Sequence, residues 1–124
     1  MPHPEAVRPV VLIVEDEFLI RMYAAEMIEA AGYDVIEAIN ADHAIAILES
    51  RPDIRVVFTD VNLPGSMDGV KLAHAVRNRW PPVHIIATSA YHPKLIDELP
   101  IGSAFLLKPY SERNIVGTLE ALIA

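Results

Sequence analysis

Cysteine is absent from the 124 residues, which excludes a disulfide framework and a thiolate metal site and points to a reducing, cytoplasmic setting. Long apolar runs are missing too. Stretches such as Val10 to Val14 fall far short of the roughly 20 residues that a membrane helix needs, so a soluble protein is expected. Positive charge is scarce. Ten Lys and Arg against seventeen Asp and Glu leave a formal net charge of -7, which argues against binding a nucleic-acid backbone or an anionic membrane. Residues 1–9 have no apolar core behind a basic flank and read as a short flexible lead-in rather than a secretory signal. No repeat, low-complexity tract or long linker interrupts the remainder.

What is present suits one compact domain over residues 10–124: 52% of residues are hydrophobic and 22% charged. Short apolar runs that fit buried parallel strands are Val10 to Val14, Tyr33 to Glu37, Val56 to Asp60, His84 to Thr88 and Ala104 to Leu107. Helical patterns alternate with them. The first, near Glu17 to Ala31, repeats Leu19, Met22, Tyr23, Met27 and Ala30 as its expected core face and stops at Gly32. A second runs from Ala41 to Arg51 behind the cap Asn40, burying Ala44, Ile45 and Leu48. A third spans Asp68 to Arg79 with Leu72, Ala73 and Val76 inward, and the last follows Ser111 with Ile115, Leu119 and Leu122. The fourth, between Pro93 and Glu98, is expected to be short or irregular because Pro100 and Gly102 close it quickly. Alternating strands and helices predict an α/β fold, a doubly wound parallel sheet with five helices and right-handed crossovers.

Chemistry enters where polar residues interrupt the apolar strands. The first strand runs into Glu15 and Asp16, the third ends at Asp60, the fourth at Thr88 and Ser89, and the fifth at Lys108. In an open parallel sheet all these ends share one edge, the edge where ligands bind. Three carboxylates brought together repel one another unless a cation compensates, and a hard divalent ion such as Mg2+ takes oxygen ligands of this kind. Lys108 adds a compact positive charge for a phosphate oxygen or for Asp60, and Ser89 adds a hydroxyl donor. Together these describe a phosphoryl site with a carboxylate as nucleophile.

The ordered set "VLIVEDE", "VVFTDVNLPGSMDG", "IIATSA" and "FLLKPY" resembles the response regulator receiver family, from Val10 to the C-terminus. The resemblance implies a five-stranded sheet of order 2-1-3-4-5 and a stand-alone receiver of a two-component phosphorelay, with Asp60 as phosphoacceptor. It implies Mg2+ held by Asp16, Asp60 and the backbone carbonyl of Asn62, with Glu15 assisting through water. Lys108 and Ser89 would contact the phosphoryl group, Ser89 and Phe105 would form the switch, and Lys108-Pro109 would be a cis peptide. Ser89 is preferred to Thr88 because the small Ala90 follows it. Implied partners are a sensor histidine kinase or histidine phosphotransfer protein and a downstream protein of unknown identity, with a second copy of the chain also a candidate.

The chain departs from the family pattern in three places. The loop Pro64-Gly65-Ser66-Met67-Asp68-Gly69 is one residue longer, the segment from Ser89 to Lys108 is shorter, and the switch position holds Phe rather than Tyr. Asn62 and Tyr91, each two residues beyond a strand end, are candidates for setting phosphoryl lifetime, with surface packing the other role open to Tyr91. Two other readings compete. An aspartate-nucleophile phosphatase needs a second acid two residues after its nucleophile, where this chain has Asn62. A phosphorylation-independent interaction module on the same fold would have no use for the acidic set. Five histidines, at 3, 43, 74, 84 and 92, lack metal-ligand spacing, and Trp80 reads as a packing anchor.

Overall fold

A computed structural model describes residues 8–90 and 93–123; residues 1–7 of the expected lead-in and Tyr91 lie outside that range. The elements are β1 (Val10–Val14), α1 (Phe18–Ala30), β2 (Asp34–Ala38), α2 (Ala41–Ser50), β3 (Ile54–Asp60), α3 (Gly69–Arg79), β4 (His84–Ser89), a 3-10 helix (Pro93–Glu98), β5 (Ala104–Leu107) and α4 (Glu112–Ile123). All strand pairs are parallel and the order is β2-β1-β3-β4-β5. Among the described residues there are therefore four α-helices, not five. The fourth expected helix is the six-residue 3-10 segment, closed by Leu99 N donating to Ile96 O at 3.2 Å before Pro100.

Period-two alternation divides the sheet's side chains between two cores. Leu12, Val57 and Ile85 join Ala44 and Leu48 of α2 and Leu72 and Val76 of α3 on one face. Val11, Ile13, Phe58 and Ile86 join Ile28 of α1 and Ile115 and Leu119 of α4 on the other. Trp80 packs at the edge of the first core with the Arg79 guanidinium 4.4 Å from its ring centroid. The helices start as the side chains require. Asn40 Oδ1 accepts from His43 N at 2.8 Å, Asp68 Oδ1 from Lys71 N at 2.9 Å, and Ser111 Oγ from Asn114 N at 3.1 Å. Gly32 follows α1 at φ +105°, the left-handed backbone that a side chain would strain.

The buried face of α1 corrects the one expected from sequence. Ala24, Ala25, Met27 and Ile28 point inward, whereas Leu19 is 69% exposed, Tyr23 54% and Met22 38%. The helix is apolar on most of its surface, so periodicity alone does not say which stripe meets the sheet. Ile28→Ala should therefore cost about 3 kcal/mol of stability, and Leu19→Ala less than about 0.5 kcal/mol. Urea denaturation of both variants measures the difference, and equal losses would contradict this packing.

Candidate functional site

The order of the sheet puts β1 and β3 side by side and β4 next to β3, so the loops leaving their C-terminal ends border one depression. Glu15 and Asp16 follow β1, Asp60 closes β3, Ser89 closes β4 and Lys108 follows β5. The five lie together at that edge, as expected. One carboxylate oxygen from each of Glu15, Asp16 and Asp60 falls within 4.8 Å of the other two. Glu15 and Asp60 are 4% and 7% exposed, and Asp16 is open to solvent.

One ammonium joins two of these groups. Lys108 Nζ donates to Glu15 Oε1 and to Asp60 Oδ2, both at 2.9 Å. The other oxygens are held by backbone: Asn62 N donates to Asp60 Oδ1 at 3.0 Å and Glu17 N to Glu15 Oε2 at 3.2 Å. Burial raises the Glu15 pKa above its ordinary value and nearby Asp60 adds to the rise, against the hydrogen bonds from Lys108 and Glu17. For Lys108, burial acts downward, but the bonds to Asp60 and Glu15 outweigh it and hold the ammonium charged. Behind them Tyr110 is buried edge-on against Phe58, and burial pushes its phenol up to about 12.

Three carboxylates against one ammonium leave a deficit of positive charge. The group that would correct it is a cation, and the donors on offer are oxygens throughout, without sulfur or imidazole, which suits a hard divalent ion. The acidic trio is thus able to hold a metal.

The remaining expected residues sit around this centre. Thr88 and Ser89 are both buried; Thr88 is the register partner of Asp60, and the Ser89 carbonyl accepts Lys108 N at 2.8 Å. Asn62 is exposed at the rim. Phe105 is partly buried on β5 opposite Ala87, packed on the α2/α3 core rather than among the carboxylates. Lys108-Pro109 is cis, as the resemblance implies. Arg21 was not expected here. It donates to the Glu15 carbonyl and to Glu37 Oε1, both at 2.8 Å, anchoring the acidic loop to β2. No sequence signal marks it, because its partner Glu37 becomes a neighbour only once β2 pairs with β1. Beside Lys108, Leu19, Ile20, Tyr23, Ala90, Pro109 and Tyr110 line an apolar depression of about 500 Å3.

The chain thus joins a doubly wound parallel sheet to an acidic pocket and a lysine at the sheet's C-terminal edge. Residues 11–120 match the family model described as response regulator receiver domain, and the chain belongs to that family. It is 32% identical over 119 residues to the phosphate regulon transcriptional regulatory protein PhoB of Pseudomonas aeruginosa, covering 91% of this chain and 51% of that protein. It is also 32% identical over 117 residues to the sensor kinase CckA of Brucella abortus, covering 91% of this chain and 12% of the kinase. The crystal structure of the chemotaxis response regulator CheY4 of Vibrio cholerae superposes with a TM-score of 0.84 at 26% identity, over 94% of this chain and all of that one. The chain spans about half or less of these two curated relatives. No helix among the described residues is long and apolar enough to cross a membrane.

Lys108→Met would leave Glu15 and Asp60 facing each other without their shared counter-ion. With the site largely but not wholly buried, the loss should be about 3 kcal/mol in metal-free buffer. Denaturation with and without a divalent cation is the measurement, and the cation should recover part of the loss.

Proposed function

We propose that this receiver domain accepts a phosphoryl group on Asp60, from phosphohistidine on a sensor histidine kinase or on a histidine phosphotransfer protein, and signals by the resulting change of conformation. The observation that carries the reading is the Lys108 ammonium shared by Glu15 and Asp60 beside the exposed Asp16. Asp60 Oδ attacks the phosphorus as the phosphorus–nitrogen bond of the donor breaks, and the bonding pair leaves with the imidazole. Phosphoryl transfer depends mainly on positioning and on stabilising charge on the transferred oxygens. Lys108 supplies one fixed positive charge for those oxygens, and Ser89 a hydroxyl donor.

Asp16, Asp60 and the Asn62 carbonyl would hold Mg2+, with Glu15 acting through water. When bound, the ion supplies neutralisation of the acidic trio and of the incoming phosphoryl charge. Modification of Asp60 ends its pairing with Lys108, and Ser89 and Phe105 pass that change to the β4–β5 side of the sheet. Asn62 at the rim and Tyr91, two residues after Ser89, govern the lifetime of the acyl phosphate by admitting or shielding water. Chemistry of this kind acts on the chain itself rather than turning over a substrate, and the absence of cysteine fits a cytoplasmic setting.

In the presence of acetyl phosphate and Mg2+, intact mass should show one added phosphoryl group on the wild type and none on Asp60→Asn. Asp16→Asn should weaken Mg2+ binding by about tenfold or more in a calorimetric titration, because a site with few protein ligands loses one charge. Full labelling of Asp60→Asn would remove the assignment.

A protein donor has to reach a nearly buried carboxylate, and the apolar surface that flanks the way in is α1. Phe18, Leu19, Met22 and Tyr23 are exposed there, next to the depression that Lys108 and Pro109 close. Such a patch beside a polar site fits a donor's apolar helix face. Leu19→Glu should slow phosphoryl transfer from a histidine-phosphorylated protein at least tenfold, while labelling by acetyl phosphate, which needs no such surface, stays within about twofold. Parallel rate measurements with the two donors decide the matter.

A further inference from the structure

An acceptor carboxylate is placed no better than the peptide that carries it. Asn62 N and Lys108 Nζ hold the two oxygens of the Asp60 side chain, but both depend on where the Asp60 backbone stands. Two neighbours meet its carbonyl. Thr59 Oγ1 donates to Asp60 O at 2.9 Å, and Thr59 is fully buried. Apart from Asp60 itself, the other buried side chains of β3 are the apolar Ile54, Val56, Val57 and Phe58, so a hydroxyl at this position serves something other than packing. From above, α3 begins at Gly69, whose N donates to Val61 O at 2.9 Å. A Cβ on Gly69 would overlap the Asp60 carbonyl oxygen and stand 2.6 Å from Val61 Cα and 2.8 Å from the Asp60 carbonyl carbon.

The glycine is not needed for backbone conformation, since φ at Gly69 is not positive. It is needed for closeness alone. Each atom that a methyl would strike belongs to the backbone of Asp60, the last residue of β3, or of Val61 just after it, and backbone has no rotamer by which to move aside. Either the first turn of α3 or the Asp60–Val61 peptide must shift. Gly117, in α4, has nothing within 4 Å of the same construction and marks the contrast.

We propose that Gly69 and Thr59 are positioning residues, which hold the Asp60 carbonyl from two sides and so set the carboxylate's aim toward Lys108 and an incoming phosphorus. The proposal rests on Asp60 being the acceptor. Misplacing reacting atoms by about 1 Å is able to lower a rate by about a hundredfold, so a clamp of this kind is read in rate rather than in metal affinity.

The test uses the full chain with acetyl phosphate at saturating Mg2+, following labelling by intact mass across donor concentrations. Thr59→Val keeps the shape and removes only the hydroxyl; it should lower the maximal rate about fivefold or more while Mg2+ affinity by calorimetry stays within about twofold. Thr59→Ser restores the donor and should return the rate to within about twofold of wild type. Gly69→Ala should lose about tenfold or more in maximal rate, with Gly117→Ala at the wild-type rate. If Gly69→Ala does not fold, the two Thr59 variants decide. A Thr59→Val protein that labels at the wild-type rate, a Thr59→Ser protein no faster than Thr59→Val, or a folded Gly69→Ala protein at full rate overturns the clamp. Asp60→Asn is run alongside. Its labelling would overturn the acceptor reading itself, whereas an unlabelled Asp60→Asn with a fully active Thr59→Val overturns the clamp only.

Discussion

Glu15 and Asp60 lie nearly buried within one small acidic cluster, an arrangement that mutual repulsion and desolvation both oppose. The Lys108 ammonium makes it tenable by donating to both at 2.9 Å. The pairing crosses 93 residues from Lys108 to Glu15 and 48 from Lys108 to Asp60, so it exists only when β1, β3 and β5 have found their places. Its neutralisation is incomplete, since Asp16 remains without an equivalent partner within the cluster. The same imbalance that strains the site in isolation suits it to a divalent cation.

The sheet turns this sensitivity into something that reaches beyond the pocket. β3 is central, flanked by β1 and β4, and its last residue is Asp60. Asp60 pairs in register with Thr88, Val61 N donates to Thr88 O at 3.0 Å, and the Ser89 carbonyl accepts Lys108 N at 2.8 Å. The backbone on either side of the pocket is thereby tied to β4, from Val61 at one edge and from Lys108 at the other. The segment between those strands is fastened from α3: His74 Nε2 lies 2.7 Å from Glu98 O, and Arg77 Nη1 donates to Ile101 O. Side-chain bonds of this sort, largely exposed, are weaker ties than a packed helix would be, which leaves this side of the fold the easier one to rearrange.

How much of this is legible in the sequence depends on the range of the interaction. Strands declare themselves because short apolar runs such as Val10–Val14 and Ala104–Leu107 have few other uses, and caps such as Asn40, Asp68 and Ser111 act on residues three positions away. The acidic pair, Asp60 and Lys108 are legible for a related reason: polar residues at the ends of apolar strands must share the sheet's C-terminal edge. The stripe of α1 that faces the sheet is not legible, because apolar residues occupy most of its circumference. The short, irregular form of Pro93–Glu98 is legible from Pro100 and Gly102, but its tie to α3 through His74 and the Glu98 carbonyl, 24 residues apart, is not. Arg21, Thr59 and Gly69 fall in the same group. Each acts on a backbone carbonyl, and a backbone carbonyl leaves no mark in sequence.

The exposed stripe of α1 is not explained by folding. Folding alone would bury Leu19 and Tyr23 or replace them with polar residues, since the helix already anchors itself through Ala24, Ala25, Met27 and Ile28. Two of the four inward residues are the small Ala24 and Ala25, which lets that part of α1 lie close to the sheet. Near the N-terminal end of the helix Arg21 ties it to the Glu15 carbonyl, and Leu19 and Tyr23 of the apolar stripe line a depression together with Lys108, Pro109 and Tyr110. Carboxylates and apolar surface thus meet at one rim, with the charge inside and the grip outside. For the proposed transfer from a protein donor, that division would let apolar contact provide residence at the rim, while the charges proposed to meet the phosphoryl group remain largely out of water, where they act most strongly.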